Sequence, residues 1–283
     1  MKWNDYAVEH IDVGTWLIKD QIGSYFYLLE GREKCLLFDT GLGILPVRSV
    51  IERICSKPVI VVNSHSHGDH VGCNYEFDKI YIHDADYESL IGEPYVPDSR
   101  TMAIEVAETT LGRKLTETEK QGFMNEAERQ KEQSVNKLQG KEIFELGNRQ
   151  VEVIPCPGHT KGSIMLLDKG HRLLFTADSC CSTYGVLLMY PGAASVEEYY
   201  EALQKIWRRR DDYDQLYPGH HIYPLEIKYL ENFILCCRSV IEGQAEYIVD
   251  EEHQGCIFVT YQNVKLALPE SCIEKYQLQR GTV

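Results

Sequence analysis

The chain has 283 residues, of which 43% are hydrophobic and 25% charged, the usage of an ordinary globular protein. Its formal net charge of −14 argues against a broad nucleic-acid face, since phosphate binding needs clustered Lys and Arg. The sequence has no 18-residue apolar run to span a membrane, and its charged start, with Lys2, Asp5, Glu9 and Asp12, is unlike a signal peptide.

This length is enough for a sizeable core, and 1–283 is read as a single domain. The ten cysteines lack the C-x-x-C spacing of zinc sites. They read as mostly reduced and buried, in a cytoplasmic protein.

The opening of the chain reads as strands at Thr15–Lys19, Ser24–Glu30 and Lys34–Phe38, with Gly23 and Gly31 between them. The third run ends in Asp39-Thr40-Gly41. Pro46–Ile54 reads as a helix with proline in its first turn. Pro58–Val62 is a short continuous apolar run, the mark of a buried strand. It leads directly into Asn63-Ser-His-Ser-His-Gly-Asp-His70.

Another strand is expected at Ile80–His83. The polar stretch 84–140 follows, rich in Glu, Lys and Gln. Thr116 and Glu119 have capping-box spacing, and helix formers continue to Leu138. This stretch reads as a helical insertion, either a cap over a site or a dimer-forming arm that would make the protein a homodimer. Strands return at Gln150–Ile154, Ser163–Asp168 and Arg172–Thr176. Ser195 and Glu198 make a second capping box, which predicts a helix over 196–209. Its basic end, Arg208-Arg209-Arg210, suits a helix C-terminus. A short strand, Gln215–Tyr217, ends in Pro-Gly-His220-His221. A helix over Pro224–Glu242 stops at Gly243, and 256–268 reads as a C-terminal hairpin. The pattern is that of a layered α/β protein.

The polar clusters fall just past the carboxyl ends of expected strands, where a rigid scaffold holds functional loops. Alternate residues of an extended segment project to one side, so His65 and His67 could share a metal. Gly68 permits a reversal that would turn Asp69 and His70 toward a second. Imidazole and carboxylate are the ligands of catalytic zinc. Further on, His159 lies in a loop tightened by Pro and Gly, Asp178 ends one strand, and His220 and His221 end another.

Asp39-Thr-Gly, His65-x-His67-x-Asp69-His70, Gly158-His159, Asp178 and Gly219-His220 resemble the five ordered motifs of the metallo-β-lactamase superfamily. The resemblance spans about residues 15–225. It implies a four-layer αββα sandwich of the α/β class that binds two metals. In that pattern His65, His67 and His159 hold the first metal, and Asp69, His70 and His220 the second. Asp178 bridges them, and Asp39 steadies the ligand loops. The ligand follows Pro-Gly directly, which favours His220 over His221. His10, His83, His171 and His253 lie outside the motifs and are read as structural or exposed. Lys161 stands where relatives often have proline. It would pair with a substrate carboxylate or with a neighbouring acid. Ala177 stands where many relatives have glycine.

Two metals roughly 3.5–4 Å apart can share a hydroxide and polarise a carbonyl or phosphoryl oxygen. The expected chemistry is attack by that hydroxide on a small ester-like substrate, with Asp69 or Asp178 taking and returning a proton. Two zinc ions are the expected cofactor, and iron or manganese would suit the same ligands. A thioester or lactone is favoured over a β-lactam because no export signal is visible. Tyr184 and Tyr190 match tyrosines that hold substrate oxygen in related lactonases. Cys180 and Cys181 are read as packing residues. The alternatives are an iron-dependent oxidoreductase of this fold, similar to the persulfide dioxygenases, and a non-catalytic metal-stabilised binding module.

Overall fold

Strands in chain order build the first of two units, 1–151. The computed structural model describes residues 2–3, 5–92, 97–130, 134–181, 185–249 and 255–281. An eight-stranded sheet runs β1 (Lys2–Trp3), β2 (Tyr6–Asp12), β3 (Thr15–Lys19), β4 (Tyr25–Glu30), β5 (Cys35–Phe38), β6 (Val59–Val62), β7 (Ile80–His83) and β8 (Val135–Leu138). The first five strands form an antiparallel meander. From β5 to β8 the pairing is parallel, which requires a crossover between successive strands. Those crossovers hold α1 (Arg48–Ile54), α2 (Gly68–Val71), α3 (Asp84–Ile91), α4 (Pro97–Leu111) and α5 (Glu117–Gln130). A short strand, β9 (Ile143–Glu145), follows.

The carboxyl ends of β5 and β6 are in register, Phe38 opposite Val62. The Asp39 amide donates to Val62 O at 3.0 Å, and the Asn63 amide to Tyr81 O at 2.8 Å. Two polar segments, one starting at Asp39 and one at Asn63, therefore leave the sheet side by side.

Three sequence expectations change in this unit. Strand β2 went unread because Glu9, His10 and Asp12 interrupt its apolar pattern, although Tyr6 and Val8 are buried. Of the helix expected to continue to Leu138, Glu117–Gln130 is described as helix, whereas Val135–Leu138 is an edge strand. Pairing with β7 and burial of Leu138 outweigh the helix propensity there. Cys35 and Cys55 are joined by a disulfide between β5 and the residue after α1, where reduced thiols were expected. The other eight cysteines are buried thiols outside any disulfide.

Helices α4 and α5 and the connection between them supply core residues. Ala107, Leu115 and Phe123 are buried in one cluster with Phe26, Leu37 and Ile51. The Thr116–Glu119 capping box forms as read, with the Glu119 amide 3.2 Å from Thr116 Oγ1 and the Thr116 amide 2.6 Å from Glu119 Oε2.

The second unit, 152–283, begins inside β10 (Gln150–Pro155). It continues with β11 (Ile164–Asp168), β12 (Leu173–Ala177), β13 (Val186–Leu187), α6 (Val196–Trp207), β14 (Gln215–Pro218), β15 (Leu225–Glu226) and α7 (Lys228–Ile241). The tail comprises β16 (Glu246–Val249), β17 (Cys256–Tyr261), β18 (Val264–Pro269), α8 (Cys272–Tyr276) and β19 (Gln279–Arg280). Within this unit one sheet has the order β15-β14-β12-β11-β10 and a five-stranded sheet the order β13-β18-β17-β16-β19. The expected hairpin is β17–β18. Next to it lie β16 and then β19, which the sequence pattern does not mark: both are short and contain no buried residue. Helix α7 starts later than expected because Leu225 and Glu226 pair with β14 first.

Helix α6 buries Val196, Tyr199, Ala202, Leu203 and Ile206, the stripe of an amphipathic helix. Its Ser195–Glu198 capping box is complete. Beyond it, Arg209 forks onto Glu152 at 2.6 and 2.8 Å. Among the described residues no helix is long and apolar enough to cross a membrane.

Candidate metal-binding residues

In the first unit, the segment after β6 gathers four of the expected ligands. The reversal at Gly68 is a helical turn, α2, with His67 as its N-cap. His65 and His70 are buried, His67 is exposed and Asp69 lies between these extremes. The His65 ring centroid is 4.6 Å from that of His67 and 4.3 Å from that of His70. Asp69 Oδ2 lies 3.5 Å from His70 Nε2 and accepts from Ser24 Oγ at 3.4 Å.

Asp39 organises these rings from below. Its Oδ1 accepts from the Ser64 amide at 2.7 Å, and its Oδ2 accepts from Ser64 Oγ at 2.7 Å. Oδ2 is also 2.9 Å from His70 Nδ1. Ser64 Oγ in turn lies 2.9 Å from His65 Nδ1. With Nδ1 engaged in both rings, Nε2 is the atom each offers to a metal. Outer partners fix the rings of metal-binding histidines in this way.

The rest of the Asp39-Thr-Gly motif clamps the backbone of the ligand loop. The Thr40 amide donates to His70 O at 2.8 Å, and the Gly72 amide donates to Gly41 O at 2.7 Å. A Cβ on Gly72 would lie 2.1 Å from Leu42 C, so only glycine permits this approach. Asn63 and Asn74 exchange side-chain amide bonds of 3.1 and 2.8 Å beneath the loop. Buried Asp86 accepts from the Ser66 amide at 3.0 Å. Burial raises the Asp20 carboxyl above the ordinary range, against amide bonds from Leu42, Ser24 and Ile22, and Asp69 adds like charge.

The second unit gathers the remaining three. Strand β12 shifts register against β14 between Phe175 and Ala177, and Asp178 follows at once. Ala177 has φ +43°, a region that glycine enters more readily. Asp178 Oδ2 lies 3.5 Å from His159 Nε2 and Oδ1 lies 3.4 Å from His220 Nε2. The two oxygens of one carboxylate thus face two different imidazoles. The neighbouring His221 has φ +69° and a ring centroid 5.8 Å from that of His220.

The His159 loop is held by its own backbone. The Cys156 amide donates to Ser163 O at 2.8 Å, and the Thr160 amide to Ser163 Oγ at 3.0 Å. The exposed Lys161 lies near Glu198 and helps hold that carboxyl below its ordinary value, after the larger effect of hydrogen bonds from Ser195. Tyr190 is half-buried. Tyr184 and His253 lie outside the described residues.

Cys180 and Cys181 are buried. Cys181 Sγ donates to Ala177 O at 3.3 Å and lies 3.7 Å from Asp178 Oδ1. Burial and the Asp178 charge raise the Cys181 thiol well above its ordinary value, and burial raises Cys180 as well. Neutral, enclosed thiols suit packing rather than redox chemistry.

Sequence reasoning did not single out Ser64, Asp86, Gly72 or the Asn63–Asn74 pair. Asn63 and Ser64 alone carry a signal, their position between a buried strand and the first histidine.

These histidine and aspartate groups could hold metal. The donor set is imidazole and carboxylate, which zinc and iron both accept. The model of the Metallo-beta-lactamase superfamily matches residues 20–220, and the chain belongs to that superfamily. Among curated proteins it is similar to the acyl-coenzyme A thioesterase MBLAC2 of Homo sapiens. The two are 28% identical over 240 residues, covering 78% of this chain and 82% of that protein. The Gallus gallus protein of the same name is 24% identical, covering 74% and 79%. Among solved structures, a metallo-beta-lactamase from Pontibacter korlensis aligns with a TM-score of 0.57 at 18% identity, covering 82% of this chain and 99% of that one. Another from Erythrobacter litoralis aligns with a TM-score of 0.57 at 13% identity, covering 84% and 99%. These structural likenesses establish the mixed α/β fold of the superfamily.

Proposed function

We propose that the protein is a metal-dependent thioesterase acting on acyl-coenzyme A or a similar small thioester. One observation carries the reading: the Asp178 carboxylate presents Oδ2 to His159 and Oδ1 to His220, an arrangement that suits a carboxylate shared by two metals. The names of the curated relatives support a thioester as the substrate.

In this proposal His65, His67 and His159 hold one metal, and Asp69, His70 and His220 a second. Asp178 serves both. Two zinc ions, with iron or manganese as substitutes, would polarise the thioester carbonyl and make water nucleophilic at neutral pH. The protein groups do the rest. Asp39 fixes the His70 ring directly and the His65 ring through Ser64. Asp69, steadied by Ser24, or Asp178 would take the proton of the attacking water and return it to the departing thiolate, which leaves as the thiol. Tyr190 and Lys161 are the candidates for substrate contact.

Release of free thiol from acyl-coenzyme A substrates of increasing chain length tests the reading, with Asp178→Asn alongside the native chain. The native protein should hydrolyse at least one chain length, and the variant should fall to background while remaining folded. Full thioesterase activity in Asp178→Asn would overturn the reading. Predominant iron and oxygen consumption would instead support the oxidoreductase alternative.

A further inference from the structure

Tyr199 lies on α6, inside the core of the second unit, with no exposed surface. Its hydroxyl donates to the backbone carbonyl of Ser179, the residue after Asp178. Its ring covers Gly158, the residue before His159, so closely that a Cβ there would lie 2.4 Å from Tyr199 Cδ2. One side chain therefore touches two of the three segments that carry expected ligands of the second unit, those of His159 and Asp178.

The ring is itself braced. The Ser195–Glu198 capping box fixes the first turn of α6. The Phe233 ring of α7 meets Tyr199 edge-on, with centroids 6.3 Å apart and planes at 72°. Just before the helix, the Ala194 amide donates to Gly158 O at 2.8 Å, a second tie between α6 and the His159 loop. Burial raises the Tyr199 hydroxyl well above its ordinary value, so it stays a neutral donor.

We infer that Tyr199 is a positioning residue that sets the spacing between His159 and Asp178, and with it the affinity of the site for metal. The inference rests on the metal-site reading above. It goes beyond that reading by assigning the spacing to a residue far from the ligands in sequence.

Tyr199→Phe removes one oxygen and keeps the ring. Tyr213→Phe is the matched control: Tyr213 is equally buried in the same core, and its hydroxyl donates at 3.0 Å to Ile206 O, an acceptor outside both segments. Two readouts are needed. In the metal-free proteins, amide hydrogen exchange should quicken at 156–163 and 177–181 in Tyr199→Phe and stay unchanged there in Tyr213→Phe. In competition with a chromophoric chelator for Zn²⁺, Tyr199→Phe should bind on the order of ten-fold more weakly, the scale of an outer-shell loss. Tyr213→Phe should match the native chain.

Unchanged exchange in both segments would overturn the inference, whatever the metal result. So would native Zn²⁺ affinity in Tyr199→Phe. A native protein that takes no metal, with exchange altered as expected, would defeat the metal reading and confine the role of Tyr199 to loop spacing.

Discussion

Asp39 Oδ2 lies 2.9 Å from His70 Nδ1, with both side chains essentially without solvent exposure. The same carboxylate reaches His65 through Ser64 Oγ. A single acid beneath the ligand loop thus orients two of its histidines. Asp39→Asn keeps the shape but places an amide donor among three donors. Zinc affinity is expected to fall by roughly 10–100-fold, and stability by about 1–3 kcal/mol for the unmade buried bond. Chelator competition and urea unfolding would measure the two. An unaltered affinity would remove Asp39 from the account of the site.

Gly72 and Gly122 should respond oppositely to the same substitution. A Cβ on Gly72 would meet Leu42 backbone at 2.1 Å and Gly43 N at 2.6 Å, where neither neighbour is a flexible side chain. Gly72→Ala is expected to cost about 3 kcal/mol or more, at or above the upper range for overpacking. Gly122 lies within α5, and its Cβ would meet nothing within 4 Å. Gly122→Ala should therefore stabilise the chain by about 0.5–1 kcal/mol. Thermal unfolding of the pair checks both signs at once.

Phe123 on α5 has 1% exposure and belongs to the first unit's core. Phe123→Ala is expected to destabilise by about 3–5 kcal/mol. A helix merely laid over the surface would lose far less, so denaturant titration tells whether α5 is part of the folded core or a detachable cap.

Acid should loosen the 113–119 region before the rest. The Arg113 guanidinium, followed by Thr116 bonds, holds the Glu119 carboxyl at about 2, below its ordinary 4.5. Because the folded value is the lower one, the stability it contributes is fully present above pH 4.5 and is lost as pH falls toward 2. Glu119→Gln should flatten the pH dependence of stability between those values and leave the slope above pH 5 unaltered. An unchanged acid slope would contradict this assignment.

Features encoded within a few residues were legible in the sequence. Both capping boxes formed as their spacing required, strand Ile80–His83 matched to the residue, and the His65-x-His67-x-Asp69-His70 segment emerged from a buried strand as expected. What escaped depends on distant partners. Ser64 acquires its role from an aspartate 25 positions earlier, and Tyr199 acquires its role from a carbonyl 20 positions earlier. Val135–Leu138 reads as helix until β7 offers it a parallel edge. Strand β16 was invisible because its side chains are exposed to intermediate in burial, and none is buried.

The central claim is that metal held by these histidines and aspartates hydrolyses a thioester. The most direct measurement is free-thiol release from acyl-coenzyme A by one preparation in three states: as purified, stripped by chelator, and restored with Zn²⁺. Activity is expected in the first, background in the second and recovery in the third, with about two metals per chain in the restored protein, as a two-metal site requires. Thiol release that survives complete stripping would contradict it. So would a fully metal-loaded protein that cleaves no acyl-coenzyme A of any chain length.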